Sequence, residues 1–410
     1  MRSTPSSFSF AFLLAVAATA RAQNVLVVAP APGPGVFSTQ IQVATAAAQS
    51  GDVVLVKAGA YSGMVFINGK SLVLTAELGA SVTLDGEILV SNVAANQRVV
   101  VRRIDVTAQE ETNALFLSGN VGPVWIEECL LVGGFTPGSL VAGMGCRVLA
   151  CSAVVFARCT IAGGPALATS PSVGGMGLLA MDSNLHLADT VCIGTNGHAG
   201  DATHVGGQGG AGANVAGGFF VATGSGFQGG NGGGNPTPAM LSGGAGGGGL
   251  QLSTFATAID CAFVGGAGGV SALGQAPNGA NVSGATLTVV PGAARHFAVD
   301  SPIREGQVTT LHFGGLANEI VGVIYGPVPS PIVPFAAFGG SLLVDAATSS
   351  GFVGGTVSTA GVIDVPVAMP TLPAAVLGVT MHVQSVHFDS VLSYAALGPA
   401  SSLLILDSSL

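Results

Sequence analysis

The sequence predicts an all-β protein in two parts: a parallel β-helix, in which short strands wind coil upon coil, followed by a small antiparallel β-sandwich. Three observations carry this expectation. One segment of short strands closed by glycine recurs along residues 100–269. The chain has 64 glycines in 410 residues, and only 8 % of its residues are charged. Past about residue 285 the recurrence stops, and evenly spaced strand-like runs separated by prolines take over. Disorder is excluded, because disordered chains are rich in charge and poor in apolar residues, whereas this one is 49 % hydrophobic.

The recurring segment is clearest in WIEECLLVGG (125–134), VFARCTIAGG (155–164) and AIDCAFVGGAGG (258–269). HLADTVCIG (186–194), TGSGFQGGNGG (223–233) and VVRRIDV (100–106) fit the same frame. Aligned, they place Ile104, Cys129, Cys159, Thr190, Ser225 and Cys261 in one column, at successive spacings of 25, 30, 31, 35 and 36 residues. Periods of this length mark solenoids, because a single unit cannot bury its apolar side alone. Alternation within each copy points to strands with one face in a core, and stacked parallel strands make a β-helix with coils about 4.8 Å apart. The residue before the column (Arg103, Glu128, Arg158, Asp189, Gly224, Asp260) is expected to face solvent, the alternating signs of the first four setting the register of neighbouring coils. Strict alternation puts Glu127 and Glu128 on opposite faces, with Glu127 inward at a bulge or strand end.

Residues 1–22 have a basic start at Arg2, an apolar run and an Ala20-Arg21-Ala22 ending, the three parts of an export signal cleaved after Ala22. A secreted or cell-surface location is expected, and the mature chain then carries nine bases against 20 acids. Nucleic-acid binding needs clustered bases, and the one basic doublet is Arg102–Arg103. No segment after the leader reads as a membrane span, because the apolar runs are short and broken by Gly, Pro, Asn and Ser.

Residues 38–86 open with a helical segment over 39–49, then GDVVLV (51–56), GAYSG (59–63), GKSLVL (69–74) and VTLDG (82–86). This resembles the opening of right-handed parallel β-helix proteins related to pectate lyases. The resemblance implies a helix that caps the first coil and a solenoid filling residues 23–284. The runs GGQGGAG, GGNGGG and GGAGGGG between residues 194 and 249 lack the aspartate of calcium-binding nonapeptides. They are expected to be tight turns and extended loops of wider coils. Residues 285–410 are expected to form the sandwich, from RHFAVDS, QVTTLHFGGL, EIVGVIYG, SLLVDA, GVIDVPV, GVTMHVQSVHF and SSLLILD.

For chemistry, the resemblance implies several carboxylates on one face, calcium, and a basic residue that takes the sugar-acid proton. The matching candidates are Arg158, Asp182 and Asp189, with Asp260. Against this stands the charge distribution, since residues 159–294 hold only those three aspartates and Asp201, with no Lys or Arg to attract an acidic polysaccharide. His198, Asp201 and His204, with His186, have a spacing that could hold zinc, or are solvated loop residues. Cys129 and Cys159 share a column, so either a disulfide or a stack of thiols fits them, and Cys146 and Cys151 could bridge a turn. The expected function is a noncatalytic extracellular scaffold or adhesin. The alternative is a polysaccharide lyase or hydrolase, and only that alternative brings in calcium as cofactor. The expected partners are extracellular polysaccharide or cell-envelope components. Sugar stacking would have to come from Trp125, Tyr61, Tyr325 and Tyr394.

Overall fold

The computed structural model describes residues 23–110, 112–135, 142–166, 172–236, 241–335, 340–389 and 395–410. Three parallel sheets of ten, eight and eight strands form the first part, and each full coil gives one strand to each. One coil supplies Val99–Arg102 to the first sheet, Asp105–Thr107 to the second and Leu115–Ser118 to the third. The next supplies Val124–Glu127, Leu130–Val132 and Cys146–Leu149. In the first sheet the strand ends Arg102, Glu127, Ala157, Ala188, Thr223 and Ile259 lie opposite one another in register. The column from Ile104 to Cys261 therefore stacks as the spacing predicts. Ile104, Cys129 and Cys159 belong to the solenoid core, Thr190 and Ser225 are buried polar members of the column, and Cys261 is partly buried.

A single left-handed residue makes each corner between the first and second sheets: Arg103, Glu128, Arg158, Asp189, Gly224 and Asp260, with φ between 50° and 58°. That residue resets which side of the chain faces inward, so Ile126 and Cys129 both enter the core. Glu127 consequently points outward, opposite to the inward placement that strict alternation predicts. It is the last residue of a regular strand, as one of the two expected alternatives has it. A left-handed non-glycine residue costs about 1–2 kcal/mol. Here the corner amides are tied to the next coil, with Glu128 N–H donating to Ala157 O at 2.9 Å and Arg158 N–H to Ala188 O at 2.8 Å.

The helix spans Ile41–Ala47, inside the expected 39–49, and buries Ile41, Ala44 and Thr45. Lys70 closes its C-terminal end, its ammonium donating to the carbonyls of Thr45 and Ala48. Ile41 and Ala44 join the solenoid core, so the helix covers apolar surface at the first coils.

The glycine-rich runs are extended segments of the wider coils, as expected, but not tight turns. Each coil sends out one extended run and brings back another antiparallel to it, and successive pairs stack. A main-chain ladder crosses the stack, donor to acceptor, at one step per run. Gly210 N–H donates to Thr195 O, Gly230 to Gly210, Gly247 to Gly230, Gly266 to Gly247 and Gly279 to Gly266, each at 2.8 Å. None of these glycines has positive φ. They are required because the backbones touch, so that a methyl added at Gly230 would fall on the Thr195 carbonyl oxygen. Their two-in-three spacing (206, 207, 209, 210) suits an extended helix of three residues per turn, with every third side chain outward.

The parallel sheets continue past residue 284 to Leu287–Val290, which pairs with Ala256–Ile259. Beyond it, a three-stranded sheet (His296–Val299, Val308–Gly314, Val362–Ala368) faces a five-stranded one containing Ile320–Gly326, Gly378–Phe388 and Ala395–Leu406. Phe297, Leu311 and Phe313 from one side meet Val323, Met381 and Leu403 from the other, giving the expected sandwich core. The proline-rich Pro329–Phe335 is itself a strand, paired with Gly340–Val344. The sandwich packs on the outer face of the first sheet, where Val53, Leu55, Val100, Trp125 and Val155 meet Leu343, Ala400, Leu404 and Leu406. The first-sheet strands from Val53–Val56 to Phe220–Thr223 are buried on both faces and consist mostly of apolar residues.

Candidate functional site

Of the corner column only Asp260 is exposed, as expected; the other members are partly covered, and the column is the seat of the sandwich. After the last coil the chain turns back, and residues 294–304 run along the corners toward the capped end. Ala294 N–H donates to Asp260 at 2.9 Å, and His296 Nδ1 lies 2.7 Å from Asp189. Arg158 donates to Phe297 O at 2.6 Å. Arg102 donates to Val299 O and Arg103 to Ser301 O, both at 2.7 Å. Arg304 reaches Glu77 at 3.2 Å. The strap thus runs past the corners of several coils, with Val299 and Ser301 both meeting the coil of Arg102 and Arg103.

At its centre, five charges from three coils form one network. Arg102 pairs with Glu128 at 2.7 Å and Glu127 at 3.8 Å, and Arg158 with Glu128 at 3.2 Å and Glu127 at 3.5 Å. Arg103 also pairs with Glu128. Glu127 and Glu128 therefore act on the same side, contrary to the opposite faces alternation predicts, because the left-handed corner turns Glu128 outward. Glu127 accepts from Ser402 N–H at 2.8 Å and Ser401 Oγ–H at 2.9 Å. Burial alone would raise the Glu128 carboxyl, but Arg102, Arg158 and Arg103 hold it at about 2.

The lyase candidates are not brought together. Arg158 is spent on Glu127, Glu128, Phe297 and Ser401. Asp189 is paired with His296 under the strap. Asp182 is a left-handed corner between the third and first sheets, away from the other two. His204 and Asp201 make a local turn on the surface, with Nδ1 3.0 Å from Oδ1. His198 contributes its main chain to a second glycine ladder, accepting from Gly207 at 2.8 Å, and His186 lies in the first sheet. Among the described residues no group of three or more His, Cys, Asp or Glu is placed to hold a metal. All six cysteines are thiols, with Cys129 and Cys159 on successive coils. Burial pushes the Cys129 thiol well above its ordinary value. Trp125 is covered by the sandwich, edge-on to His382 at 4.5 Å, and Tyr61 and Tyr325 are buried. Tyr394 and the leader, residues 1–22, lie outside the described residues.

What the sequence gives no sign of is the buried histidine set. Burial lowers His186 to about 4 and His382 well below its usual range; Arg98 adds to the effect on His382. His387 also falls to about 4, by burial outweighing Glu319. All three are neutral when folded and protonate near 6.5 when unfolded, so the unfolded chain takes up protons first as pH falls. Stability is then lost between about pH 6.5 and 4, by about 3 kcal/mol for His186 alone. His296, raised chiefly by its hydrogen bond to Asp189, works the other way: its contribution is full below about 6.5 and lost as pH rises through the higher folded value. We expect denaturation midpoints to fall from pH 7 to 4, and His186→Leu to flatten that slope. A slope unchanged in His186→Leu would refute this.

These observations define a parallel β-helix protein with an antiparallel β-sandwich strapped along one side. No family model matches the chain, and no curated protein matches it. Among solved structures, pectate lyase Pel9A is similar at 11 % identity and a TM-score of 0.28, over 68 % of this chain and 80 % of that one. Geobacillus virus E2 ORF18 is similar at 10 % identity and a TM-score of 0.24, over 85 % and 79 % respectively. Among the described residues no helix is long and apolar enough to cross a membrane.

Proposed function

We propose that the protein is exported and serves as a noncatalytic scaffold or adhesin at the cell surface or outside the cell. One observation carries this reading: Arg158 and Asp189, two of the charges that a lyase centre would need, are taken up in holding the sandwich against the solenoid. Arg158 has carboxylate, hydroxyl and carbonyl partners, so its guanidinium is not open to a substrate proton. The stacked glycine runs present a rigid face with few charges, suited to contact with neutral polysaccharide or envelope components. Its stiffness follows from the main-chain ladder, which is hydrogen-bonded at every step.

The mature protein should leave acidic and neutral polysaccharides uncleaved, with or without added calcium, while sedimenting with insoluble polysaccharide or envelope fractions. Product released above the buffer rate in any of these conditions would overturn the proposal in favour of a lyase or hydrolase. N-terminal sequencing of exported protein should begin at Gln23. Retention of residues 1–22 would remove the export part of the reading.

A further inference from the structure

The two ends of the solenoid are built differently. At the first coils, the helix Ile41–Ala47 packs its buried face against the core. At the last coil, Ala262–Val264, Val282–Gly284 and Leu287–Val290 are the terminal strands of the three sheets, each with a neighbour on one side only. Phe263 stacks on Phe227 at 5.4 Å and is only partly buried, as are Val282 and Leu287. Val264, Val270, Leu273 and Val289 are exposed, Val289 at 64 %. Proteins ordinarily guard such edges with lysine, proline, bulges or a cover. Residues 261–294, which make this end, contain no Asp, Glu, Lys or Arg. The sandwich leaves the end clear, because its apolar contacts are with coils nearer the cap.

We propose that this end docks a second copy of the same chain, tail to tail about a two-fold axis. Three open strand edges in a fixed arrangement are best matched by another coil end, and the uncharged surface lets two identical ends meet without repulsion. A two-fold axis across the solenoid reverses the strand direction, so Leu287–Val290 meets its own counterpart antiparallel and the open edge is paired. The helix at the far end blocks head-to-tail stacking, so the contact closes as a dimer and does not grow into a filament. This inference is independent of the scaffold reading, since it concerns only how the solenoid ends.

Sedimentation velocity on the mature, full-length protein tests it. The wild type should sediment as a dimer at micromolar concentration. Val289→Lys should weaken association on the order of 100-fold or more, because the axis sets two lysines against each other at a contact that would otherwise be apolar. Far-UV circular dichroism and the melting profile of dilute protein check that the variant still folds, and Val264→Lys is the second variant should it not. A monomeric wild type overturns the proposal. So does a dimer that survives both lysines, or open-ended assembly in place of a dimer.

Discussion

Replacing Glu127 by alanine should destabilise the protein by about 3–5 kcal/mol, the range for removing one partner of a buried ion pair. The side chain is fully buried under the sandwich, close to Arg102 and Arg158. Its loss leaves a guanidinium excess where Glu128 alone must balance three arginines, and it strands the Ser402 N–H that donates to it. By contrast, Lys57→Ala removes a half-exposed partner of Glu77 and should cost at most about 1 kcal/mol. Because the network joins the two parts of the molecule, the change should show as undocking. Limited proteolysis should cut within the strap before the solenoid melts, and thermal unfolding should split into two transitions. If the variant melts in one step within 1 kcal/mol of wild type, the network is not what seats the sandwich. Acid should produce the same undocking more gradually. Glu128 titrates near 2 when folded against 4.5 in the free side chain, so its contribution is present above about pH 4.5 and lost as pH falls toward 2.

The contrast between Glu127 and the core column explains what the sequence could reveal. The column from Ile104 to Cys261 was legible because each coil repeats the same strand, corner and strand, so the spacing carries the register directly. The corner conformation was not legible. A single left-handed residue overrides the two-residue period, and nothing in Arg103, Glu128 or Arg158 as residue types announces positive φ. The strap was hidden for another reason. Its acceptors at Phe297, Val299 and Ser301, like Ser402 in the strand Ala395–Leu406, are main-chain carbonyls, as far as 300 residues from the arginines they satisfy. A main-chain partner leaves no compositional trace. For the same reason, the charges of Arg103, Glu128, Arg158 and Asp189, which look like a solvated column, form a partly buried seam under the sandwich. The candidate site was therefore visible as a set of residues, but its role depended on what covers it.

Gly230→Ala is the second large expected effect, about 3 kcal/mol or more, and it tests whether the glycine runs are packed structure. The new methyl has no room, because the obstacle is the Thr195 carbonyl on the neighbouring run and not a side chain that can swing away. Accommodating it means separating two backbones, which would stretch the Gly230-to-Gly210 and Gly247-to-Gly230 hydrogen bonds together. Overpacking of a tight interior usually costs about 1–3 kcal/mol, and breaking adjacent steps of a ladder adds to that. Gly226→Ala provides the comparison. It lies in a strand of the same coil without positive φ, and an added methyl would meet Val191 at 3.7 Å, an ordinary contact. That change should be close to neutral, since alanine also restricts the unfolded chain. In a solenoid each coil contacts only its neighbours, so the damage should be local in hydrogen exchange. The amides of Gly247 and Gly266 should lose protection first, while those of the first coils keep theirs. If Gly230→Ala and Gly226→Ala melt alike, the runs tolerate side chains and the rigid face invoked for binding does not exist.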